Sequence, residues 1–401
     1  METYGLGAPA AEIETRIAAL QAAMSAKGID GSLIVQKTDL FYFSGTAQQG
    51  WLYVPAAGAA VLMIFKDVER ARLESPLAVQ SMVSPKKMPE MLREMGCPAP
   101  AVLGLELDVL PTNLYFQYAA IFKEARIVDV ATEIRLIRAV KSAYEIDLLR
   151  QAAALSDQLA AKVPEFLHEG MTEVALAGQL EGYARSLGHQ GIVRMRLWGS
   201  ELFYGHLLSG PAATVASYLA SPTGGTGVSP LISQGAGYRQ LGRNEPILVD
   251  YVFALNGYIS DHTRIFSLGP LADDLLRAHQ AMLDLQAEIK TLAVPGALAG
   301  DLYEAMVERA AKQGYEEYFM GVGERKIRFT GHGVGLELDE YPFIAKGQQL
   351  PLAAGMIIAL EPKIIWPGKG VVGIENTHLV TDQGLDCLGH FADDIMVLPA
   401  N

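Results

Sequence analysis

Four carboxylates are embedded in strongly apolar, strand-forming stretches of this chain, and any fold that buries those stretches must also supply a counter-charge for the acids. The first pair lies in Ile247-Leu248-Val249-Asp250-Tyr251-Val252-Phe253-Ala254-Leu255 and Tyr258-Ile259-Ser260-Asp261-His262-Thr263-Arg264, separated by Asn256-Gly257. Asn-Gly between two β-prone runs is a strong signal for a two-residue hairpin. Asp250 precedes the turn by six residues and Asp261 follows Gly257 by four, so strand pairing with one bulge brings the two carboxylates close together. Taken singly, either Asp also reads as an edge or solvent-facing acid. The second pair repeats the arrangement, with Met356 to Glu361 running in, Pro367-Gly368-Lys369-Gly370 turning and Val371 to Glu375 running out. Glu361 and Glu375 each stand seven residues from Gly368, so they fall nearly opposite one another, where like charges repel. Their apolar neighbours argue against a solvated face, and something positive is expected between them.

Between the two hairpins comes Phe329-Thr330-Gly331-His332-Gly333-Val334-Gly335-Leu336. The glycines leave the imidazole room to reach a ligand and let other backbone approach. Alone, such a histidine reads equally as a hydrogen-bonded structural residue. With the acids it reads differently, because four carboxylates gathered in a low-dielectric core need raised pKa values or a large counter-charge, and two divalent cations balance four negative charges. Neutral His332 then completes an oxygen-dominated, one-nitrogen site suited to manganese, iron, cobalt or zinc.

Composition narrows the remaining classes. Hydrophobic residues make up 50% of the 401 and charged residues 19%, which excludes a disordered chain. With 32 Lys plus Arg against 45 Asp plus Glu, the net charge of -13 repels a phosphate polymer, so no nucleic-acid partner is expected. The longest apolar run, Ala56 to Phe65, is about half of what a bilayer span needs, and Glu2 stands where a signal peptide needs basic residues. No membrane association is expected, and the expected compartment is the cytoplasm. Cys97 and Cys387 are too few for a disulfide framework or thiolate metal site, suit a reducing compartment and read as core residues.

Periodicity divides the chain in two. Apolar positions at helical spacing run from about Ala10 to Lys27, followed by strand patterns at Ser32–Gln36, Asp39–Phe43, Ala59–Phe65, Ala101–Leu110 and Ile127–Val130. A boundary falls near residue 140, giving an α/β domain over 1–138 and a second domain over 139–401. The second opens on Lys141-Ser142-Ala143-Tyr144-Glu145, a capping box ahead of the apolar face of Ile146, Leu149 and Ala153. Further helices are expected over Thr172–Leu187, Leu271–Leu292 and Asp301–Gln313, with Pro295-Gly296 breaking between the last two. Pro222-Thr223-Gly224-Gly225-Thr226-Gly227 follows no clear strand and opens no clear helix, so a mobile loop is expected there rather than a phosphate loop.

Asp250 and Asp261 eleven residues apart, Gly257-Tyr258, Asp261-His262-Thr263-Arg264, Gly331-His332-Gly333-Val334-Gly335, and Glu361-Pro362 followed by Glu375 together resemble the pita-bread metallopeptidase family. That family includes aminopeptidase P, prolidase, methionine aminopeptidase and the metal-free creatinases. The resemblance runs from about residue 140 to 396, and the preceding part is similar to the smaller α/β domain of prolidases and creatinases. It implies an α+β, duplicated fold around a curved antiparallel sheet, and assembly as a homodimer. It also implies a two-metal centre bridged by water or hydroxide, with Asp250, Asp261, His332, Glu361 and Glu375 in the ligand positions. Creatinase-like members have lost these ligands, whereas this chain carries all five, which implies metal dependence.

The chain departs from the family pattern around the metals. Asp339 stands seven residues after His332, where the peptidases carry a second histidine; Ile232 to Val249 contains no histidine; Gly373 replaces a common arginine, and Val252 a common glycine. The missing histidines would donate to the substrate carbonyl and the tetrahedral oxyanion, which an ionised carboxylate at 339 cannot do. The leading expectation is an Xaa-Pro peptidase-like hydrolase acting on a small peptide or amide, with Glu361 shuttling the proton to the leaving amine. The alternative keeps the metals but makes Asp339 the base of a lyase or another C–N or C–S cleaving enzyme, as in the sulfonium-cleaving lyase of the family. A binding module without catalysis is a third class, which the five retained ligands argue against. His206, in Tyr204-Gly205-His206-Leu207, either replaces a missing histidine or is structural. His262 follows a ligand on a strand and so should face the other way. Arg194, Arg196 and Trp198 read either as carboxylate readers or as an amphipathic strand.

Overall fold

A computed structural model describes residues 7–202 and 204–399, which divide into two units between Arg138 and Ala139. The first unit is built on six short strands: β1 (Gly31–Ile34), β2 (Gly50–Pro55), β3 (Val61–Ile64), β4 (Val79–Ser81), β5 (Val102–Leu105) and β6 (Arg126–Asp129). They form one mixed sheet in the order β4-β3-β2-β1-β5-β6. β1 and β3 are buried along their whole length, as continuous apolar runs require when both faces are covered. One expected strand is a helix. Asp39–Phe43 lies inside helix Lys37–Ser44, because the Gln36 side chain accepts from the Asp39 amide at its start and Gly45, at φ 79°, closes its end. Periodicity over so few residues does not separate the two states; the caps do. Strand β2 carries little alternation and has no counterpart among the expected strands. Cys97 and Cys387 are only half-buried rather than core residues.

In the second unit the Ser142–Glu145 capping box is formed in both directions and opens helix Ala143–Phe166. Helices Glu173–Ser186, Asp273–Leu292 and Ala299–Lys312 follow close to their expected positions. Strands β7 (Gly205–Ser209), β8 (Ile247–Leu255) and β9 (Tyr258–Leu268) form one sheet, with β17 (Met396–Leu398) beside β9. β10 (Phe329–Gly333), β11 (Glu340–Ala345), β12 (Ile357–Leu360), β15 (Asn376–Thr381) and β16 (Gly384–Cys387) form a second sheet, in the order β11-β10-β12-β15-β16. A separate ribbon joins β13 (Lys363–Trp366) to β14 (Gly370–Gly373).

The β8–β9 hairpin is tighter than the sequence suggests. Pairing runs unbroken from Ile247↔Phe266 to Leu255↔Tyr258, and Asn256 and Gly257 both take positive φ, 51° and 90°, as a two-residue primed turn requires. There is no bulge. Asp250 is paired with Thr263 and Asp261 with Val252, so the two acids share a face as diagonal neighbours. The second hairpin changes sheets as it goes. The chain leaves β12 at Glu361-Pro362, where proline has no amide to continue a ladder, and returns through Ile374-Glu375 into β15. Both glutamates therefore sit at crossings between the large sheet and the ribbon.

The glycine-rich segment is packed rather than loose. The Gly225 amide donates to Val215 O at 2.8 Å, and the Gly235 amide to Gly224 O at 2.7 Å. A Cβ on Gly225 would stand 2.3 Å from Leu208 Cδ2 and 2.7 Å from Gly235 O, so glycine serves close approach there. Among the described residues no helix is long and apolar enough to cross a membrane.

Behind β8, burial pushes the Glu181 carboxyl up to about 7, against partial relief from the Tyr251 hydroxyl that donates to it. A carboxyl held above its unfolded value binds its proton more tightly in the native state, so stability falls as pH rises from the ordinary glutamate range through about 7. Glu181→Gln is expected to raise stability at pH 8 by roughly 1–2 kcal/mol, allowing for the group's partial exposure, and by nothing at pH 4. Thermal melts of both proteins at the two pH values check this.

Candidate metal centre

All five expected ligands converge on the floor of one cavity of about 310 Å³, together with Asp339 and His206. β8 contributes Asp250, β9 Asp261 and β10 His332, while Glu361 and Glu375 come from the two sheet crossings. Asp261, His332 and Glu375 each offer a ligand atom, and the three atoms lie within 4.8 Å of one another, close enough for one metal ion. His332 Nε2 stands 3.7 Å from Asp261 Oδ2, 3.8 Å from Glu375 Oε1 and 4.0 Å from Glu361 Oε1. Its other nitrogen, Nδ1, lies 3.6 Å from Asp339 Oδ1. Asp339 turns back toward the imidazole from a left-handed backbone, φ 62°, which Asp tolerates better than most residues.

The positive charge expected between Glu361 and Glu375 belongs to Lys363. Its side chain is 1% exposed, and Nζ donates to Glu375 Oε2 at 2.7 Å, Glu361 Oε2 at 2.9 Å and Asp250 Oδ2 at 3.0 Å. Three carboxylates hold its pKa well above the ordinary lysine value against the opposing effect of burial. The sequence carried a signal for this residue: Lys363 stands two positions after Glu361, the spacing that returns to the same side of an extended chain.

Charge crowding governs the other groups. Burial, then Glu375 and Asp250, raise the Asp261 carboxyl well above the usual range. Burial also raises Glu375 to about 7, although Lys363 draws it down. For His332, burial favours the neutral ring, but Asp339, Asp261, Glu361 and Glu375 together outweigh it and lift the imidazole to about 9. Such a cluster offsets part of its own negative charge by retaining protons, and a bound cation would relieve the same crowding.

Arg264 holds the frame around these groups. It is 2% exposed and donates to the carbonyls of Ala392, Thr263, Glu375 and Phe391 and to Asn376 Oδ1, and it pairs with Asp393 at 2.9 Å. Thr263 Oγ1 donates to Glu375 Oε2 at 3.0 Å, which fixes that carboxylate's second oxygen. The motif Asp261-His262-Thr263-Arg264 contains both residues but does not signal these roles, since a threonine is common in any strand and a basic residue there ordinarily reads as solvated.

The remaining candidates separate. His206 is buried opposite Asp250 across β7 and β8, with Nε2 3.2 Å from Gln234 Oε1 and Nδ1 3.3 Å from Thr223 Oγ1. Gln234 Oε1 only accepts, so Nε2 carries the proton and donates; burial lowers the ring's pKa and keeps it neutral. Both nitrogens are thus engaged in the protein. His262 faces away from the cavity, with Nε2 3.8 Å from Asp157 Oδ1. Arg196 is buried against Glu337 at 3.8 Å, and neither it nor Arg194 lines the cavity; Trp198, 98% exposed, does.

The same frame is found in known proteins. A model of metallopeptidase family M24 matches residues 147–382, and one of the creatinase/prolidase N-terminal domain matches residues 16–140. The Xaa-Pro dipeptidase of Pyrococcus furiosus is 26% identical over 93% of this chain and 97% of its own length. Among solved structures, dipeptidase PepE from Mycobacterium ulcerans superposes with a TM-score of 0.78 at 27% identity, covering 97% of this chain and 98% of that one. The prolidase from Pyrococcus horikoshii superposes with a TM-score of 0.79 at 24% identity, covering 94% and 99%. With the family model spanning more than half of its length, and with pita-bread structures as its neighbours, this chain belongs to metallopeptidase family M24 and carries the creatinase/prolidase N-terminal domain ahead of it.

Proposed function

We propose that the protein is a metal-dependent hydrolase of small peptides or amides, with Xaa-Pro bonds as the first substrates to test. The observation that carries this reading is the Asp261–His332–Glu375 cluster on the floor of a cavity sized for a small ligand. These three residues would hold the ion, with Asp250 and Glu361 alongside. Carboxylate oxygens with one imidazole nitrogen suit manganese, cobalt, iron or zinc. When bound, a divalent ion supplies a water of lowered pKa and polarises a carbonyl. The sequence expectation of two such ions meets Lys363, whose ammonium already stands among Asp250, Glu361 and Glu375.

The chain's own groups divide the remaining work. Glu361, with one oxygen on Lys363 and the other turned toward His332, is placed to carry a proton to the leaving amine. His332 Nδ1 lies 3.2 Å from the Gly333 carbonyl, which accepts its proton and so leaves Nε2 for the cluster, the usual arrangement behind a metal-bound imidazole. Asp339 serves as a positioning residue whose carboxylate stands alongside at 3.6 Å. No observation favours Asp339 as a free base, and the elimination alternative is not pursued. The cavity lining includes Glu201 and Asp339 besides the four floor acids, and no described Lys or Arg, which favours a substrate end that is neutral or an amine. His206, bonded on both nitrogens, supports the wall.

The experiment is a panel of Xaa-Pro and other dipeptides, each with free and acetylated amine, assayed with manganese, cobalt, iron or zinc. Turnover of free-amine substrates that falls at least about tenfold on acetylation supports the reading; no turnover of any amide with any metal contradicts it. Asp339→His is expected to change the pH profile of turnover without abolishing metal binding, as a change behind His332 should. For assembly we propose a homodimer, and sedimentation at micromolar concentration returning a 43.2 kDa species would count against it.

A further inference from the structure

We propose that Lys363 replaces one of the two metal ions of the centre, so that this chain holds a single divalent ion on Asp261, His332 and Glu375 beside a fixed internal ammonium. The inference rests on the metal-dependent reading above and concerns how many ions the site takes.

The geometry is that of two neighbouring cation positions, one of them filled by the chain. Nζ of Lys363 meets Asp250, Glu361 and Glu375 at 3.0, 2.9 and 2.7 Å, one carboxylate for each of an ammonium's three protons. Glu375 is divided between the two positions: Oε2 accepts from Lys363 and Thr263, while Oε1 is turned to His332. On that second side Asp261, His332 and Glu375 gather their ligand atoms within 4.8 Å. A metal ion bound through Asp250 and Glu361 would have to take the oxygens that Lys363 holds. It would also stand within a few ångströms of a buried positive charge, where repulsion in a low dielectric is large.

Charge balance leads to the same count. Two divalent ions balance four carboxylates only when no other cation is present. Counted over the four floor carboxylates alone, with Asp339 left aside on the far side of His332, the Lys363 ammonium and one divalent ion leave a single negative charge, and a second ion would turn that four-acid floor positive. The ammonium cannot retreat to solvent, because the side chain is 1% exposed and enters from the start of β13 beneath the floor of the cavity.

Metal content of the full-length protein tests this. Wild type, Lys363→Gly and Lys363→Arg are loaded with manganese and passed through a desalting column. Bound manganese is then counted per chain, and spin coupling between paired ions is sought by electron paramagnetic resonance. The expected result is one ion per chain in wild type, one in Lys363→Arg, which keeps the charge, and two with a coupled spectrum in Lys363→Gly. Two ions in wild type overturn the proposal while leaving the metal-dependent reading intact. No ion in wild type overturns both. Should Lys363→Gly fail to fold, the wild-type and Lys363→Arg counts still decide, since two ions in either contradicts the replacement.

Discussion

Glu361→Gln is expected to lower turnover by about 10²–10⁴-fold, the range typical of losing a positioned proton carrier. The isosteric amide keeps an oxygen for Lys363, which also retains Asp250 and Glu375, so the fold should survive while the proton route is cut. Steady-state kinetics on the best substrate of the panel, with metal content and melting temperature measured beside them, separate this from collapse of the site. A variant that folds, binds metal as wild type does and turns over at the wild-type rate contradicts the role given to Glu361.

Arg264→Met is expected to destabilise the protein by about 3–5 kcal/mol, because each buried acceptor left without a donor costs about 1–3 kcal/mol and several lose theirs at once. Methionine fills much of the volume but supplies no donor, which strands the carbonyls of Ala392, Thr263, Glu375 and Phe391 and the side chain of Asn376. The loss falls beside Glu375, so ion affinity should drop along with the denaturant midpoint. Urea unfolding with and without manganese measures both effects. A change below about 0.5 kcal/mol, within the ordinary range for surface substitutions, would show that the network does not hold the frame.

The part of this site visible in the sequence was the part written in alternation and turn chemistry. Asn256-Gly257 defined one hairpin because both residues tolerate positive φ, and the apolar runs around Glu361 and Glu375 excluded a solvated face. Those runs also required a cation between the glutamates, and the sequence arithmetic assigned that charge wholly to metal ions. Lys363 went unread because strand alternation puts it beside Glu361 only if the extended chain continues through Pro362, and a lysine in an apolar strand ordinarily snorkels to water. Arg264 was hidden for a related reason: its partners are main-chain carbonyls of Phe391 and Ala392, more than a hundred residues away, and carbonyls have no sequence signature. In the first unit, Asp39–Phe43 reads as strand by its pattern and becomes part of helix Lys37–Ser44 through a cap at Gln36 and a left-handed glycine at 45. Local pairing and caps were legible where residue type decides them; contacts across the sequence were not.

We propose that the buried acid–histidine cluster works only with a divalent cation. Its most direct test is peptide hydrolysis before chelation, after exhaustive chelation and after stepwise return of manganese, run on wild type and His332→Ala. Wild-type hydrolysis should vanish on chelation and return in step with bound ion, and His332→Ala should neither retain the ion at the same concentration nor recover turnover. Hydrolysis that persists at the original rate in wild type with no measurable bound metal would contradict it.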